Sequence, residues 1–152
     1  MTTSKAIRSH CAVNYGVELF GDRWSLLIIR DIVFDGKKTY GEFLKSDEKI
    51  ATNVLASRLA FLEAQGILSR APSPDDGRKD FYRLTEKGLD LIPIVLQIVL
   101  WSAQHDPKSY VRNQKEFIER IRHHPTQTSE EVKALVRSGG CLFPESGGAS
   151  LP

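Results

Sequence analysis

The chain has 152 residues, 41% of them hydrophobic, which is enough for one domain with a buried core. Its 21 Lys and Arg residues nearly balance its 19 Asp and Glu residues, so the net charge of +2 by itself indicates neither a nucleic-acid nor a membrane partner. The longest apolar run, residues 91–101, is about half as long as the roughly 20 residues that a membrane-spanning helix needs, and residues 1–10 have no signal-peptide character. We therefore expect a cytoplasmic protein with no membrane partner.

The first part of the chain is predicted to contain two short helices separated by glycine. Residues 14–20 form the first helix, which stops at Gly21. Residues 22–34 form the second, which begins at Asp22, a good N-cap, and stops at Gly36. Glycines at these positions divide the chain into short helices rather than strands.

The next two helices are predicted to be joined by a tight polar turn. Thr39 and Glu42 have the S/T-x-x-E spacing of a capping box, which predicts a short helix ending near Ser46. An amphipathic helix over residues 51–65 follows and is stopped by Gly66. The middle of the chain is therefore predicted to be a helix-turn-helix.

The two sides of the predicted helix 51–65 differ in character. A rotation of about 100° per residue brings one set of apolar side chains together, and these are expected in the core: Ala51, Leu55, Leu59 and Leu62. The opposite side carries only short side chains: Asn53, Ser57, Ala60 and Ala64. Such a side can lie close to a DNA major groove, where Thr52 and Asn53 would reach base edges or phosphates, or it can pack against another helix. This segment alone does not separate the two interpretations.

A β-hairpin is predicted directly after that helix, over residues 67–85. Asp76-Gly77 indicates a type I′ turn, whose central residues need positive φ, and Arg78 and Lys79 lie at its tip. The apolar contacts between its two arms are expected from Leu68, Ala71, Phe81 and Leu84. Charges at a hairpin tip are often only solvated, but a helix-turn-helix followed at once by a basic hairpin is the winged-helix arrangement, whose wing touches DNA phosphates or a minor groove. The predicted fold is mostly α with a small β-hairpin wing (α+β).

Four short motifs carry a resemblance to a known family. Cys11 leads a short helix, and G-D-R-W over residues 21–24 opens the next one. The run R-L-x-x-L-E-x-x-G covers residues 58–66, and Y-x-L-T-x-x-G covers residues 82–88. With these motifs, residues 10–106 resemble the HxlR-type branch of bacterial winged helix-turn-helix transcriptional regulators, which is related to the MarR group. The resemblance implies a homodimer with flanking dimerisation helices that binds an inverted-repeat DNA operator, usually as a repressor and sometimes as an activator, on the nucleoid.

The recognition helix 51–65 and the wing 74–80 are expected to contact DNA. The predicted DNA-binding residues are Thr39, Lys49, Thr52, Asn53, Ser57, Arg58, Arg78 and Lys79. The wing cations would supply backbone affinity and the residues of the helix would supply or position base readout. Arg58 lies about 60° away from the apolar axis and can instead anchor the helix to the domain, so Asn53 ranks above it. Because a fold does not fix a function, a winged-helix module that binds another protein is the alternative.

Residues 91–101 are apolar nearly all round, with Gln97 as the polar interruption, and the core of a single chain would not cover them. A partner subunit would, and a wholly buried central helix is the alternative. Pro93 fits the first turn of a helix capped by Asp90, or kinks a longer one, so a boundary is expected there. The residues expected at the dimer interface, together with the first helix, are Ile94, Ile98 and Trp101.

The signal that controls the protein is predicted to act at one of two places. The resemblance implies that the thiol of Cys11 senses oxidants or electrophiles, which needs a lowered pKa, aided by Arg8, His10 or a helix N-terminus. Many family members have proline after this cysteine, whereas Ala12 follows it here. The alternative is a Cys11 that is buried under the dimer interface and acts only as a small apolar residue. The second place is a pocket for a small-molecule effector at the interface. Its expected residues are Tyr15, Phe20, Trp24 and Trp101.

Residues 107–152 are predicted to be a helical extension beyond the DNA-binding and dimerisation domain 10–106. One helix lies within 109–124, and its apolar stripe is expected from Phe117, Ile118 and Ile121. A last helix starts at Ser129 and stops at Gly139, and the Gly-rich residues 141–152 have the composition of a mobile tail.

Motifs for catalysis or metal binding are not found in the sequence. There is no G-x-S-x-G, no phosphate-binding glycine loop and no H-E-x-x-H, so an enzyme is not expected. Cys11 and Cys141 have no C-x-x-C spacing, and with His123 and His124 they match no ligand pattern. We therefore expect neither a metal nor another cofactor.

Overall fold

A computed structural model describes residues 6–111 and 114–144 of the chain. The helices of this part are α1 (Ala12–Phe20), α2 (Ser25–Asp35), α3 (Tyr40–Phe43), α4 (Thr52–Ala64), α5 (Glu86–Leu89), α6 (Ile92–His105), α7 (Gln114–His123) and α8 (Pro125–Arg137). Its strands, β1 (Leu68–Pro72) and β2 (Asp80–Leu84), form one antiparallel hairpin. The predicted mostly helical fold with a small β-hairpin is confirmed. No helix among the described residues is long and apolar enough to cross a membrane.

The start of α2 differs from the prediction. The helix begins at Ser25 rather than at Asp22, because Asp22 caps a turn that precedes it. One oxygen of the Asp22 carboxylate accepts the backbone N–H groups of Trp24 at 2.9 Å and of Ser25 at 3.0 Å. The helix ends as predicted, at Gly36, whose φ of 70° is the left-handed conformation that glycine adopts without strain.

The core is one cluster of buried residues to which α2, α4 and α6 contribute. The leucines of α4 that were predicted to face inward are buried, with Leu55, Leu59 and Leu62 at most 1% exposed. The prediction that Ala51 joins them is wrong, because Ala51 is the residue before the helix and is exposed. Ile29 of α2 and Ile92 of α6 are fully buried in the same cluster. Gly66, with a φ of 72°, ends the α4 segment as predicted. Burial of these aliphatic side chains is the main stabilising contribution to the helix-turn-helix.

The hairpin has the predicted contacts between its arms but a different turn. Leu68 pairs with Leu84 and Ala71 with Phe81 across the two strands. The prediction of a type I′ turn is wrong, since neither central residue, Asp76 or Gly77, has a positive φ. The reason is length: residues 73–79 form a longer loop.

Polar side chains within that loop hold its shape. The N–H of Ser73 donates to the carbonyl of Lys79 at 2.8 Å and closes the loop. The Ser73 hydroxyl accepts the N–H groups of Asp75 and Asp76, and the Asp76 carboxylate accepts the N–H of Arg78 at 3.1 Å. These are turns built by side chains, for which a left-handed residue is not required.

The boundary expected near Pro93 is confirmed. The Thr85 side chain accepts the N–H of Gly88 and caps the short helix α5, and Pro93 then lies in the first turn of α6. Asp90, one of the two alternatives for the start of this helix, does not cap it, because the residue before α6 is Leu91. The Asp90 carboxylate instead accepts a hydrogen bond of 3.0 Å from the ammonium group of Lys133 in α8.

Helices α7 and α8 pack against α6, and the apolar stripe predicted for α7 is buried as expected: Phe117, Ile118 and Ile121. Helix α8 begins at Pro125, not at Ser129. Proline fits the first turn of a helix, and Ser129 is buried one turn further along. The extension therefore shares one core with the rest of the described chain.

The first residues of the predicted mobile tail are well packed, which corrects the prediction for residues 141–144. The N–H groups of Leu142 and Phe143 donate to the carbonyls of Val33 and Phe34, at the end of α2. The ring of Phe143 packs edge-on against Phe34, with the ring centroids 5.7 Å apart. The apolar run C-L-F lets this segment pack despite its Gly-rich surroundings. Residues 145–152 of the predicted tail lie outside the described residues.

Candidate nucleic-acid interface

The outer side of α4 is exposed and carries short polar side chains. Thr52, Asn53 and Ser57 are exposed, as are the two alanines of the same side, so the alternative in which this side packs on another helix of the chain is wrong. The helix begins after Ala51, which provides no side-chain cap, and its first N–H groups are left for an outside acceptor such as a phosphate. This side has the shape and the chemistry to approach DNA closely.

The start of α4 is fixed against α3. The Tyr40 hydroxyl donates a hydrogen bond of 2.9 Å to the carbonyl of Thr52. In α3, the Thr39 hydroxyl accepts the N–H of Glu42 as the capping box predicted, but the Glu42 carboxylate returns to the N–H of Lys38 rather than to that of Thr39. Thr39 is therefore half-buried and serves the helix end, and Tyr40 is a positioning residue that the sequence reasoning missed.

Arg58 lies on the inner edge of α4. Its Nη1 atom is 3.5 Å from the Asp22 carboxylate, and its guanidinium group lies 4.6 Å from the centroid of the Phe61 ring. Partial burial works to raise the pKa of Asp22, but hydrogen bonds from Ser25 and Trp24 outweigh it and lower the pKa below its usual range. These contacts favour the anchoring role for Arg58.

The cations of the wing and of the turn before α4 are exposed. The Arg78 side chain is 92% exposed, and its Nε atom is 3.3 Å from the Asp76 carboxylate. Lys79 next to it is exposed, as is Lys49, which adopts a left-handed φ of 55° in the turn. Exposed cations before α4 and in the loop that follows it are typical of a surface that meets a phosphate backbone.

A buried carboxylate below this surface was not singled out from the sequence. Asp31 is 2% exposed and accepts hydrogen bonds from Arg30 at 2.7 Å, from Lys37 at 3.3 Å and from the Ser46 hydroxyl. Arg30 also donates to both oxygens of Glu48. The network ties α2 to the turn of the helix-turn-helix and so holds α4 in place. The signal in the sequence is the Arg-Asp pair in the apolar run of α2.

Acid is expected to weaken the contribution of the Glu48–Arg30 pair. The hydrogen bond from Arg30 lowers the pKa of Glu48 to about 2. The pair therefore stabilises the fold fully above the ordinary pKa of 4.5 and loses this effect as the pH falls through about 2. Because solvent screens a side chain that is 37% exposed, the expected contribution is about 1 kcal/mol.

Urea unfolding of the wild type and of Glu48→Gln measures this effect. At neutral pH the variant should unfold at lower urea concentration, and the difference should shrink as the pH is lowered toward 2. Glu119→Gln, in the exposed pair with Arg122 on α7, is the control for a general loss of surface charge. An equal difference between wild type and Glu48→Gln at all pH values would contradict the assignment.

Cys11 is exposed in this chain and forms the N-cap of α1. Hydrogen bonds from the backbone N–H groups of Asn14 and Val13 lower the pKa of its thiol. Arg8, which was expected to assist, instead pairs with Glu18 and with Asn14. Cys141, by contrast, is buried. The alternative in which a partner subunit buries Cys11 at the dimer interface stays a prediction.

Within the described chain, the four residues predicted for an effector pocket do not line a sizeable cavity together. Trp24 lines a cavity of about 10 Å³, which has room for no more than a water molecule. The hydroxyl of Tyr15 lies 2.9 Å from the Lys87 ammonium group. Trp101 is 65% exposed, with its ring 4.9 Å from that of His105, and Phe20 is partly buried. One subunit therefore does not by itself form the predicted pocket.

An apolar stripe lies exposed along α6. Ile94, Ile98 and Trp101 follow one another at helical spacing and are 38%, 44% and 65% exposed. The interpretation of a wholly buried helix is therefore wrong. On α1, Val13 and Val17 are 74% and 48% exposed. Clustered large apolar side chains of this kind mark a surface that another molecule covers.

Comparisons with known proteins agree with this geometry. A family model described as HxlR-like helix-turn-helix matches residues 19–110. The HTH-type transcriptional regulator Mb3122 of Mycobacterium bovis, itself uncharacterized, is 35% identical over 97 residues, or 64% of this chain. The chain thus spans 60% of the length of that relative.

Solved structures share the architecture. The crystal structure of PA1607 matches with a TM-score of 0.61 and 36% identity, over 68% of this chain and 73% of that chain. The redox regulator HypR in its oxidized form matches with a TM-score of 0.56 and 30% identity, over 62% of this chain and 97% of that chain. The fold is a winged helix-turn-helix, in which α3 and α4 are the two helices and the β1–β2 hairpin is the wing.

Proposed function

Because the chain belongs to the HxlR-like helix-turn-helix family, we propose that it is a DNA-binding transcriptional regulator that binds an inverted-repeat operator as a homodimer. One observation carries the proposal: the exposed polar side of α4 is followed directly by a wing whose Arg78 side chain is 92% exposed. The helix would enter the major groove and the wing would contact the backbone. The proposed mode of action is repression, with activation as the other mode that the family resemblance allows.

The apolar stripe on α6 supports the homodimer. A symmetric dimer buries the same patch of both subunits, and the stripe with its neighbours on α1 would supply an apolar patch of this kind. Two recognition helices related by a twofold axis would meet major grooves one DNA turn apart, roughly 34–36 Å, or a multiple of that distance. The operator should accordingly be an inverted repeat with this spacing.

A DNA-binding experiment separates the proposed function from its rival. The probe is the DNA upstream of the protein's own gene, compared with a scrambled duplex of equal length at increasing salt. A regulator should prefer the upstream DNA and should lose affinity steeply with salt, since released counterions dominate the binding of phosphates. Equal, weak binding to both duplexes would favour a winged-helix module that binds another protein.

For the signal, we propose that a thiol at Cys11 or an effector bound between two subunits shifts the dimer between two states of different DNA affinity. Such a shift needs only a different affinity of the signal for the two states. The exposed Cys11 thiol with its lowered pKa supports the first form. The exposed aromatic residues Tyr15 and Trp101 support the second, because a partner subunit would enclose them.

Treatment with a quinone is expected to abolish operator binding of the wild type and to leave Cys11→Ser unaffected. The Cys11 thiolate would add to the quinone ring, and the ring would take up a proton to become a hydroquinone thioether. Gel shifts report DNA binding, and intact-mass spectrometry counts the adducts. Cys141→Ser, which removes a buried thiol, is the control and should behave as the wild type. Equal loss of binding in wild type and Cys11→Ser would leave the effector pocket as the proposal.

A further inference from the structure

A cleft of about 210 Å³ opens between the wing, the end of α2 and the end of α8. No residue of α6 lines it, and α8 lies beyond the part of the chain that the family model matches. Apolar side chains from four elements line it: Ile32, Leu84, Leu89 and Val136. Residues of both the winged domain and the C-terminal extension therefore line the cleft.

The charged groups of the cleft are mostly cations. Lys37, Lys38, Arg83 and Arg137 line it, and Glu86 is the one carboxylate among its lining residues. Two of the four cations already pair with a carboxylate. Lys37 pairs with Asp31 of α2, and Arg137 donates hydrogen bonds of 2.8 and 3.0 Å to Glu86. Lys38 and Arg83 form no ion pair with any residue that the structure describes, and the Lys38 ammonium group lies 5.8 Å from the centroid of the Phe81 ring. The cleft thus has a surplus of positive charge beside an apolar wall.

Two glycines of the cleft lining follow the ends of helices α2 and α8, and at Gly36 an added Cβ would lie 3.0 Å from the Cys141 sulfur. Gly36 after α2 and Gly139 after α8 line the cleft and have φ values of 70° and 93°, which disfavour any other residue. Near Gly139, an added Cβ would meet no atom within 4 Å. The space beside the end of α8 is therefore unfilled by the side chains around it.

We propose that this cleft binds a small organic acid, with one carboxylate held by Lys38 and Arg83 and an apolar body against the aliphatic wall. A guanidinium group matches a carboxylate with two parallel hydrogen bonds. The volume is smaller than the roughly 300–1,000 Å³ of sites for drug-sized ligands, so the body has the size of one ring or a short branched chain. An inorganic dianion fits less well, because the apolar wall would desolvate it without hydrogen bonds in return.

A bound acid would connect the wing to the extension. Arg83 belongs to β2, the second strand of the wing, whereas Val136 and Arg137 belong to α8. Occupation of the cleft would fix the wing relative to α8, and DNA affinity would change with it. This consequence rests on the proposed function, but binding of the acid does not, so the two are tested separately.

Calorimetry of the full chain without DNA tests the binding. The probe is cyclohexanecarboxylate, compared with the neutral cyclohexanecarboxamide and with inorganic phosphate. We expect one carboxylate per chain with a dissociation constant of about 1 mM or tighter, and at least tenfold weaker binding of the amide. No heat from the carboxylate, equal affinity for acid and amide, or tighter binding of phosphate would overturn the proposal.

Variants locate the site. Arg83→Gln and Lys38→Gln should each weaken carboxylate binding at least fivefold, whereas Arg122→Gln, an exposed arginine on α7, should leave it unchanged. Wild-type affinity in both cleft variants would overturn the proposal.

Amide shifts in a two-dimensional NMR titration of the wild type provide a readout independent of the variants, and they should cluster at residues 36–38, 82–86 and 136–140. Shifts along α1 and α6 instead would place the acid elsewhere and overturn it as well. Binding of the acid without any change in DNA affinity would contradict only the coupling to the wing.

Discussion

Replacing Ile98 by glutamate is expected to turn the proposed dimer into a monomer and to weaken operator binding at least a hundredfold. Ile98 lies in the middle of the exposed stripe on α6, between Ile94 and Trp101. In a dimer, a glutamate there would be buried between apolar surfaces without a partner, which costs several kcal/mol. Two half-sites bound by linked subunits gain roughly 10²–10⁴ in affinity over one, and a monomer loses this gain.

Sedimentation velocity at micromolar concentration, with DNA binding measured in parallel, tests the expectation. Because Ile98 is 44% exposed in the single chain, the variant should keep the helical circular dichroism of the wild type. Ala134→Glu is the control, since it adds the same charge at an exposed position of α8 and should remain dimeric. A dimeric Ile98→Glu, or a monomeric wild type, would show that the stripe is not the dimer interface.

Replacing Asn53 by alanine is expected to reduce the preference for the operator, and to do so more than it reduces binding to random DNA. An asparagine that pairs with a base edge contributes roughly 1–3 kcal/mol of discrimination, or about 5- to 150-fold in affinity. Asn53 is exposed in the first turn of α4, where side chains reach furthest into a groove. Competition binding with operator and scrambled duplexes measures the ratio directly.

The matched contrast is the double variant Arg78→Ala with Lys79→Ala. Both cations lie in the exposed loop of the wing, so their loss should weaken binding to all sequences by a similar factor. The slope of log affinity against log salt should fall by about 2, since each lost phosphate contact removes roughly 1. If the double variant kept both its affinity and its salt slope, the wing assignment would fail. If Asn53→Ala kept the operator preference, base readout would have to be sought elsewhere on α4.

Periodicity predicted the recognition helix well because it depends on the helix alone. The leucines of α4 are buried and its short side chains are exposed, as a rotation of 100° per residue requires. The helix ends at Gly36 and Gly66 were predicted for the same reason, because a left-handed backbone conformation depends only on the residue that adopts it. The turn of the wing was predicted wrongly, because the two side chains that shape it, Ser73 and Asp76, act across a seven-residue loop.

Contacts between distant segments were out of reach of the sequence. The ion pair of Arg58 with Asp22 joins the recognition helix to the start of α2, and only the fold brings the two together. The network of Asp31 likewise joins residues that only the fold brings together. The predicted effector residues do not form one pocket within a single chain. The apolar residues of the C-terminal segment gave no period, so their packing on α2 could not be predicted.

The hydrogen bonds from Leu142 and Phe143 to the end of α2 have a consequence for the order of folding during synthesis. On a ribosome, α2 and the helix-turn-helix emerge long before residues 141–144. Until then, the carbonyls of Val33 and Phe34 lack the hydrogen bonds from Leu142 and Phe143. Phe34 would meanwhile lack both of its aromatic neighbours, Phe117 and Phe143. Closing so long a loop is slow compared with forming local helices. A nascent chain would thus complete its core only after residues 141–144 have emerged, and fragments released before that point would keep apolar surface exposed to chaperones and proteases.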